Sequence, residues 1–256
     1  MILAIDVGNT NIVMGVMEED KLIARFKLTT QTPRTSDEYG VTMTAMLAQR
    51  GIDKEHIKAV IMASVVPDIM YSLTNSIRRY FNLKPLIVGP GLKTGLAIRT
   101  DNPREMGAAR IANCVASYEI HGGPCMVIDF GTATTYDVVN GNGELIAAIT
   151  SPGIKICADA LWQRAAQLPH IEIKKTKNIL DAKNTITSMQ TGLVYGYIGQ
   201  VEYIVNKVKE EMNAPCMKII ATGGFAKIIR DGTDVINEYD GLLTLKGLNI
   251  IYQKNR

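Results

Sequence analysis

The chain repeats part of itself. Displaced by 123 positions, the separation of Asp6 from Asp129, Ile5-Asp6-Val7-Gly8 falls on Ile128-Asp129-Phe130-Gly131. In the same register Leu22-Ile23-Ala24 falls on Leu145-Ile146-Ala147. No gap is needed between the two matches, so the turn between the second and third strands is expected at the same place in both copies. Identity combined with matching strand order reads as a duplication. The expected halves are 1–120 and 121–256. The length of 256 residues suits two small domains or one large one, at roughly 100–200 residues per domain.

Each half opens with apolar runs that read as three strands. In the first they are Ile2 to Ile5, Ile12 to Met17 and Leu22 to Leu28, with a turn at Glu18-Glu19-Asp20. Thr35 to Glu38 resembles a capping box, so a helix is expected to about Gln49 with Tyr39, Met43, Met46 and Leu47 on its apolar face. A buried strand from Ile57 to Val66, a helix through Leu73 and Ile77, and a strand at Leu86 to Val88 follow. A further helix is expected from near Pro103 through Ile111 and Val115. The second half starts near Pro124. It continues through three strands, a helix over Gly153 to Gln167, a long helix near 184–212 and a strand at Lys218 to Thr222. This alternation predicts an α/β fold of two duplicated halves, each a mixed sheet covered by helices, with an antiparallel three-strand meander at its start.

Composition narrows the functional classes. Apolar residues make up 46% of the chain and the formal net charge is +3, with no run of Lys and Arg. A nucleic-acid or membrane-surface role is not expected, whereas small anions can bind loops and helix ends without a basic surface. Cys114, Cys125, Cys157 and Cys216 form no C-x-x-C pair and read as free thiols of a reduced, cytoplasmic compartment. His56, His121 and His170 are scattered, which disfavours a histidine metal site. Asp6 interrupts the N-terminal apolar run, so no signal peptide is expected, and no stretch reaches the ~18 apolar residues of a membrane helix.

The repeated element is suited to phosphate. In Val7-Gly8-Asn9-Thr10-Asn11 and in Phe130-Gly131-Thr132-Ala133-Thr134-Thr135, a glycine permits a sharp turn that brings N–H groups close to a ligand. Small hydroxyl and amide side chains add donors without bulk. Asp6 and Asp129 close their strands, where a carboxylate can hold a cation or a metal-bound water beside phosphates. No Walker lysine is present, so positive charge must come mostly from metal ions and backbone dipoles. Ala221-Thr222-Gly223-Gly224 follows a strand and precedes a helix, a placement suited to close approach of a flat or sugar group.

These motifs resemble the phosphate and adenosine loops of the sugar kinase, heat-shock protein and actin superfamily, whose halves are actin-like and ribonuclease H-like. Within it the chain resembles type III pantothenate kinases, some of which older naming calls Bvg accessory factors. The likeness spans essentially the whole chain through Asp6 to Asn11, Asp101-Asn102-Pro103-Arg104-Glu105, Asp129 to Thr135, Asn184-Thr185, Ser188-Met189-Gln190 and Tyr195-Gly196-Tyr197. The resemblance implies ATP-dependent phosphorylation of pantothenate to 4′-phosphopantothenate, the first step of coenzyme A synthesis. It implies that Asp6, Val7, Gly8, Asn9, Thr10, Asn11, Thr132, Gly223 and Gly224 bind ATP. Thr100, Gly107, Ala108, Ala109, Arg110, Asn184 and Thr185 would line the pantothenate site. Asp6 and Asp129 would serve Mg2+ and a monovalent cation, K+ or NH4+. A homodimer with the substrate site near the subunit boundary is implied as well.

The chain departs from the family on the acceptor side. The family reads Gly-Ala-Asp-Arg where this chain has Gly107-Ala108-Ala109-Arg110, and the missing aspartate is the family's general base. Loss of a general base costs about 10²–10⁴ in rate. Glu105, four residues earlier, would lie one turn away on a regular helix, about 5.4 Å along its axis. It is a usual family residue rather than a compensation. Thr100 replaces a usual tyrosine, Ala147-Ala148 a usual Gly-Gly and Cys157 a usual serine. Besides an impaired pantothenate kinase, two other readings stay open: a catalytically silent ATP- or pantothenate-binding relative with a regulatory role, and a kinase for another small hydroxyl acceptor.

Overall fold

A computed structural model describes residues 1–30 and 33–256. Among these residues the strands are β1 (Ile2–Val7), β2 (Asn11–Glu18), β3 (Lys21–Thr29), β4 (Ala59–Ser64), β5 (Leu86–Ile87) and β6 (Ala97–Ile98), then β7 (Cys125–Phe130), β8 (Ala133–Val139), β9 (Glu144–Pro152), β10 (Lys218–Gly223) and β11 (Glu238–Tyr239). The helices are α1 (Ser36–Ala48), α2 (Pro67–Phe81), α3 (Ala108–His121), α4 (Ile154–Arg164), α5 (Thr185–Glu211), α6 (Ala226–Arg230) and α7 (Leu243–Asn255).

Two compact units form. The first comprises Met1–Leu96, Asp101–Ala116 and Leu242–Arg256; the second comprises Ala97–Thr100 and Ser117–Gly241. In the first, the sheet order is β3-β2-β1-β4-β5, with β1, β2 and β3 antiparallel and β4 and β5 parallel to β1. The second repeats this order and these directions as β9-β8-β7-β10-β11 and adds β6 parallel to β9. Both sheets are therefore mixed and helix-covered, as expected.

The central strands explain why the repeat is readable. Strands β1 and β7 share one burial pattern, buried everywhere except at Asp6 and Asp129. Leu3, Ile5 and Val7 join the core formed with Tyr39, Met43, Leu73 and Ile77 of α1 and α2. Met126, Ile128 and Phe130 join that formed with Ile154, Val194, Ile198 and Val201 of α4 and α5. Strand alternation puts each aspartate on the opposite face from its own unit's core cluster. A side chain of this kind contributes about 1.5–3 kcal/mol on full burial, which fixes the strand's facing and with it the aspartate's.

The ungapped repeat conceals two compensating length changes. Val7 pairs with Ile12 and Phe130 with Thr134, so the first loop holds one residue more than the second. Met17 pairs with Leu22 and Val139 with Leu145, so the second turn holds one residue more than the first. The expectation of identically placed turns is corrected by one residue. Each third strand also bulges at the same point, leaving out Ile23 or Ile146, both exposed. A bulge kept in both copies is a feature of the fold rather than a defect.

One further expectation changes. The helix predicted from Pro103 is a short 3-10 turn over Pro103–Glu105, then extended backbone at Met106, and α3 begins only at Ala108. The C-terminal helix α7 belongs to the first unit, where it packs on β1, β2 and β4. Gly247 lies so close to the Ala112 carbonyl of α3 that no Cβ fits, and the Thr244 hydroxyl donates to Asn113 Oδ1 at 2.8 Å. The capping box is present as read: Glu38 N–H donates to Thr35 Oγ1 and Thr35 N–H to Glu38 Oε2.

Candidate functional site

In the first unit the loop after β1 is closed on itself. The Gly8 N–H donates to Asn11 O at 3.0 Å, and a Cβ on Gly8 would stand 3.2 Å from that same oxygen. Thr30, buried at the end of β3, grips the loop twice: its N–H donates to Thr10 O at 3.1 Å and its hydroxyl to Gly8 O at 2.8 Å. Asn9 and Thr10 remain exposed. Backbone amides turned outward from such a loop form an anion-binding concavity.

In the same unit Val65 is bonded to the strand that precedes this loop and lies near Gly107. The Val65 N–H donates to Val7 O at 3.0 Å, and a Cβ on Gly107 would lie 4.0 Å from Val65 Cγ1. Gly107 in turn accepts the Ile111 N–H at 3.1 Å and starts α3, whose first turn carries Ala108, Ala109 and Arg110, all half-buried. Glu105 is not one regular turn before Ala109. The extended Met106 separates them, and the Glu105 carboxylate accepts the Asn102 Nδ2 amide at 2.6 Å.

In the second unit Gly131 N–H donates to Ala133 O at 3.1 Å, and Gly153 N–H to Thr132 O at 3.1 Å. Gly153 is the counterpart of Thr30. A Cβ there would overlap the Thr132 carbonyl and lie 2.7 Å from Gly131 O. The Tyr197 hydroxyl of α5 donates to the carbonyl of the preceding Pro152 and lies 3.7 Å from Cys157 Sγ. Burial first, then the neighbouring Cys157, push the Tyr197 phenol above its ordinary range, so it stays a neutral donor. The second loop is shorter than read from sequence, because Thr134 and Thr135 are already part of β8 and Thr134 is buried.

The glycine pair after β10 divides in two. Gly223 pairs with Phe130, has φ +92°, and a Cβ on it would stand 2.5 Å from Asp129 Oδ1. Gly224 has open space where a Cβ would be. Asn184 caps α5, its side-chain oxygen accepting the Thr187 N–H at 2.9 Å, and Thr185 is exposed on the first turn. Thr100 has a buried hydroxyl without a protein partner in the structure. Just before it, Arg99 Nε reaches Glu144 Oε1 at 2.8 Å; Asn140 and then Arg99 hold the Glu144 carboxyl below its ordinary pKa. Among the described residues no cluster of three or more His, Cys, Asp or Glu could hold a metal. A divalent ion at these loops would need oxygens from a ligand, which is how Mg2+ is commonly held, on one or two carboxylates plus phosphates.

Sequence reasoning passed over Thr30, Val65 and Gly153. Extending the repeat would have paired Thr30 with Gly153, but nothing local marks either as a loop clasp.

The type III pantothenate kinase family model matches residues 2–207. A type III pantothenate kinase from Agathobacter rectalis is 55% identical over 254 residues, covering 99% of this chain and 97% of that protein. Among solved structures, a Sinorhizobium meliloti protein provisionally named a 2-dehydro-3-deoxygalactonokinase superposes with a TM-score of 0.62 at 12% identity, over 99% of this chain and 96% of that one. Component A of the Acidaminococcus fermentans (R)-2-hydroxyglutaryl-CoA dehydratase superposes with a TM-score of 0.56 at 12% identity, over 100% and 99%. At such identities the structural likeness speaks for the fold alone.

Proposed function

Because the chain belongs to the type III pantothenate kinase family, we propose that it transfers the γ-phosphoryl group of ATP to the primary hydroxyl of pantothenate, giving 4′-phosphopantothenate for coenzyme A synthesis. The observation that carries this reading is the junction at Val65. It ties a closed, glycine-turned loop, at Val7, to the start of α3, at Gly107. Phosphoryl transfer is mostly positioning and charge neutralisation, and this junction brings the proposed phosphate loop and the proposed acceptor-side helix together within one compact unit.

For the nucleotide the proposed residues are Asp6 to Asn11 of the first unit, for phosphate, and, of the second, Thr132 for phosphate and Gly224 for the adenosine. For the acceptor the proposed residues are Gly107 to Arg110 of the first unit and, of the second, Thr100, Asn184 and Thr185. Asp6 and Asp129 fit one carboxylate each to Mg2+ shared with the nucleotide and to K+ or NH4+; when bound, these ions neutralise charge on the transferred group. The halves 1–120 and 121–256 are the proposed units of duplication, and the proposed compartment is the cytoplasm. No described helix is long and apolar enough to cross a membrane.

A homodimer is supported by α5. Thr185, Ser188, Gly192, Gly196, Gly199 and Tyr203 are exposed at helical spacing, and the three glycines have open space where a Cβ would be. Each exposed mid-helix glycine costs roughly 0.5–1 kcal/mol, a cost that close approach of a partner helix would offset. Thr185 lies on the same face, so a second copy seated there would border the acceptor site.

Ala109 favours slow turnover. It offers no proton acceptor, and Glu105 is engaged by Asn102. The test is pantothenate-dependent ADP release by this chain and by Ala109→Asp. A gain of two or more orders of magnitude in the variant is expected. No turnover by either, while both bind ATP, would leave the silent ATP-binding reading in its place.

A further inference from the structure

We propose that Thr30 is a positioning residue for nucleotide phosphate, acting through the peptide that joins Gly8 to Asn9. The inference rests on the kinase reading above and adds a residue that the family motifs do not contain. The Thr30 hydroxyl donates to Gly8 O at 2.8 Å from a residue that is 5% exposed. A trans peptide points its C=O and its N–H in opposite directions. Pinning the Gly8 carbonyl toward Thr30 therefore turns the Asn9 N–H away from Thr30, toward the exposed side of the loop. The neighbouring groups are fixed as well: Gly8 N–H is bonded to Asn11 O, and Thr10 O accepts the Thr30 N–H. With both flanking groups held, the hydroxyl decides which way the Gly8–Asn9 peptide faces. Glycine's wide φ/ψ range would otherwise let that peptide flip.

The second copy lacks this device. Gly153 keeps the equivalent backbone bond, N–H to Thr132 O at 3.1 Å, but has no hydroxyl. Its backbone instead crowds the Gly131 carbonyl, 2.7 Å from where a Cβ would be. The extra residue in the first loop makes room for a threonine side chain that the shorter second loop excludes. One loop is thus latched by a side chain, the other by close backbone approach.

The test is equilibrium binding of Mg·ATP and of adenosine to the wild-type chain, Thr30→Val and Thr30→Ser. Valine keeps the shape and the backbone N–H but removes the hydroxyl; serine restores it. Thr30→Val is expected to weaken Mg·ATP at least ten-fold and to leave adenosine within two-fold, and Thr30→Ser to return Mg·ATP to within three-fold of wild type. Equal Mg·ATP affinity in wild type and Thr30→Val overturns the proposal while leaving the kinase reading standing. So does parallel weakening of ATP and adenosine with a lowered melting temperature that serine does not rescue, because that is a purely structural role. Failure of the wild-type chain to bind Mg·ATP overturns the kinase reading, and this proposal with it.

Discussion

Gly223 and Asp129 are held against each other: at φ +92° the backbone of Gly223 comes so near that a Cβ would stand 2.5 Å from Asp129 Oδ1. It would also stand 2.6 Å from the Phe130 backbone N and C. The glycine pair therefore has two jobs. Gly223 seats the carboxylate, and Gly224 leaves its backbone open.

The first prediction separates these jobs. Gly223→Ala must accommodate both a positive φ and overlap with backbone, so it is expected to lose roughly 2–4 kcal/mol in denaturant unfolding. Gly224→Ala meets nothing and is expected to stay within about 0.5 kcal/mol of wild type, while weakening ATP. Equal stability losses would contradict the division.

A second prediction concerns the other clasp. Gly153→Ala would drive a Cβ into the Thr132 carbonyl. A destabilisation of about 1–3 kcal/mol is expected, measurable as a shifted unfolding midpoint. Thr30→Ser, in the roomier first copy, should be tolerated far better.

Glu105 provides a third. With one carboxylate oxygen bonded to Asn102 and an extended Met106 between it and α3, it is not placed one helical turn before Ala109, and no role as a substitute base is expected. Glu105→Gln in the native chain, with Ala109 in place, is expected to change its residual turnover less than about three-fold, against the about 10²–10⁴ that loss of a working base would cause. A hundred-fold drop would return Glu105 to the chemistry.

The fourth is a pH dependence. Asn140 and Arg99 hold the Glu144 carboxyl below the ordinary glutamate range when folded. A depressed folded pKa contributes stability above the unfolded value, and that contribution is lost as pH falls through the folded value. The melting-temperature difference between wild type and Glu144→Gln should therefore be largest near neutral pH and shrink as the solution is acidified below the ordinary glutamate range. A constant difference would assign the effect to packing.

Much of this could be read in the chain because it is local. Alternating and continuous apolar runs marked the central strands, Thr35 and Glu38 marked a helix start, and the 123-residue displacement marked a duplication. Each depends on residues a few positions apart, or on identity between copies. The helix at Pro103 was misread for the same reason: its composition suits a helix, but the backbone turns extended at Met106 before α3 begins.

The sequence by itself determined the two mixed halves, the aspartates ending their first strands, and the alanine at position 109. Only the tertiary structure decided how the loops are held. Thr30 reaches back 22 residues to Gly8, Val65 reaches Val7 and Gly107, and Gly223 is pressed to Asp129 across paired strands. It also decided that two single-residue length differences cancel within an ungapped repeat. Such relations depend on strand register and on the room left around each loop. Those are set by packing of the whole unit, and no stretch of sequence carries them alone.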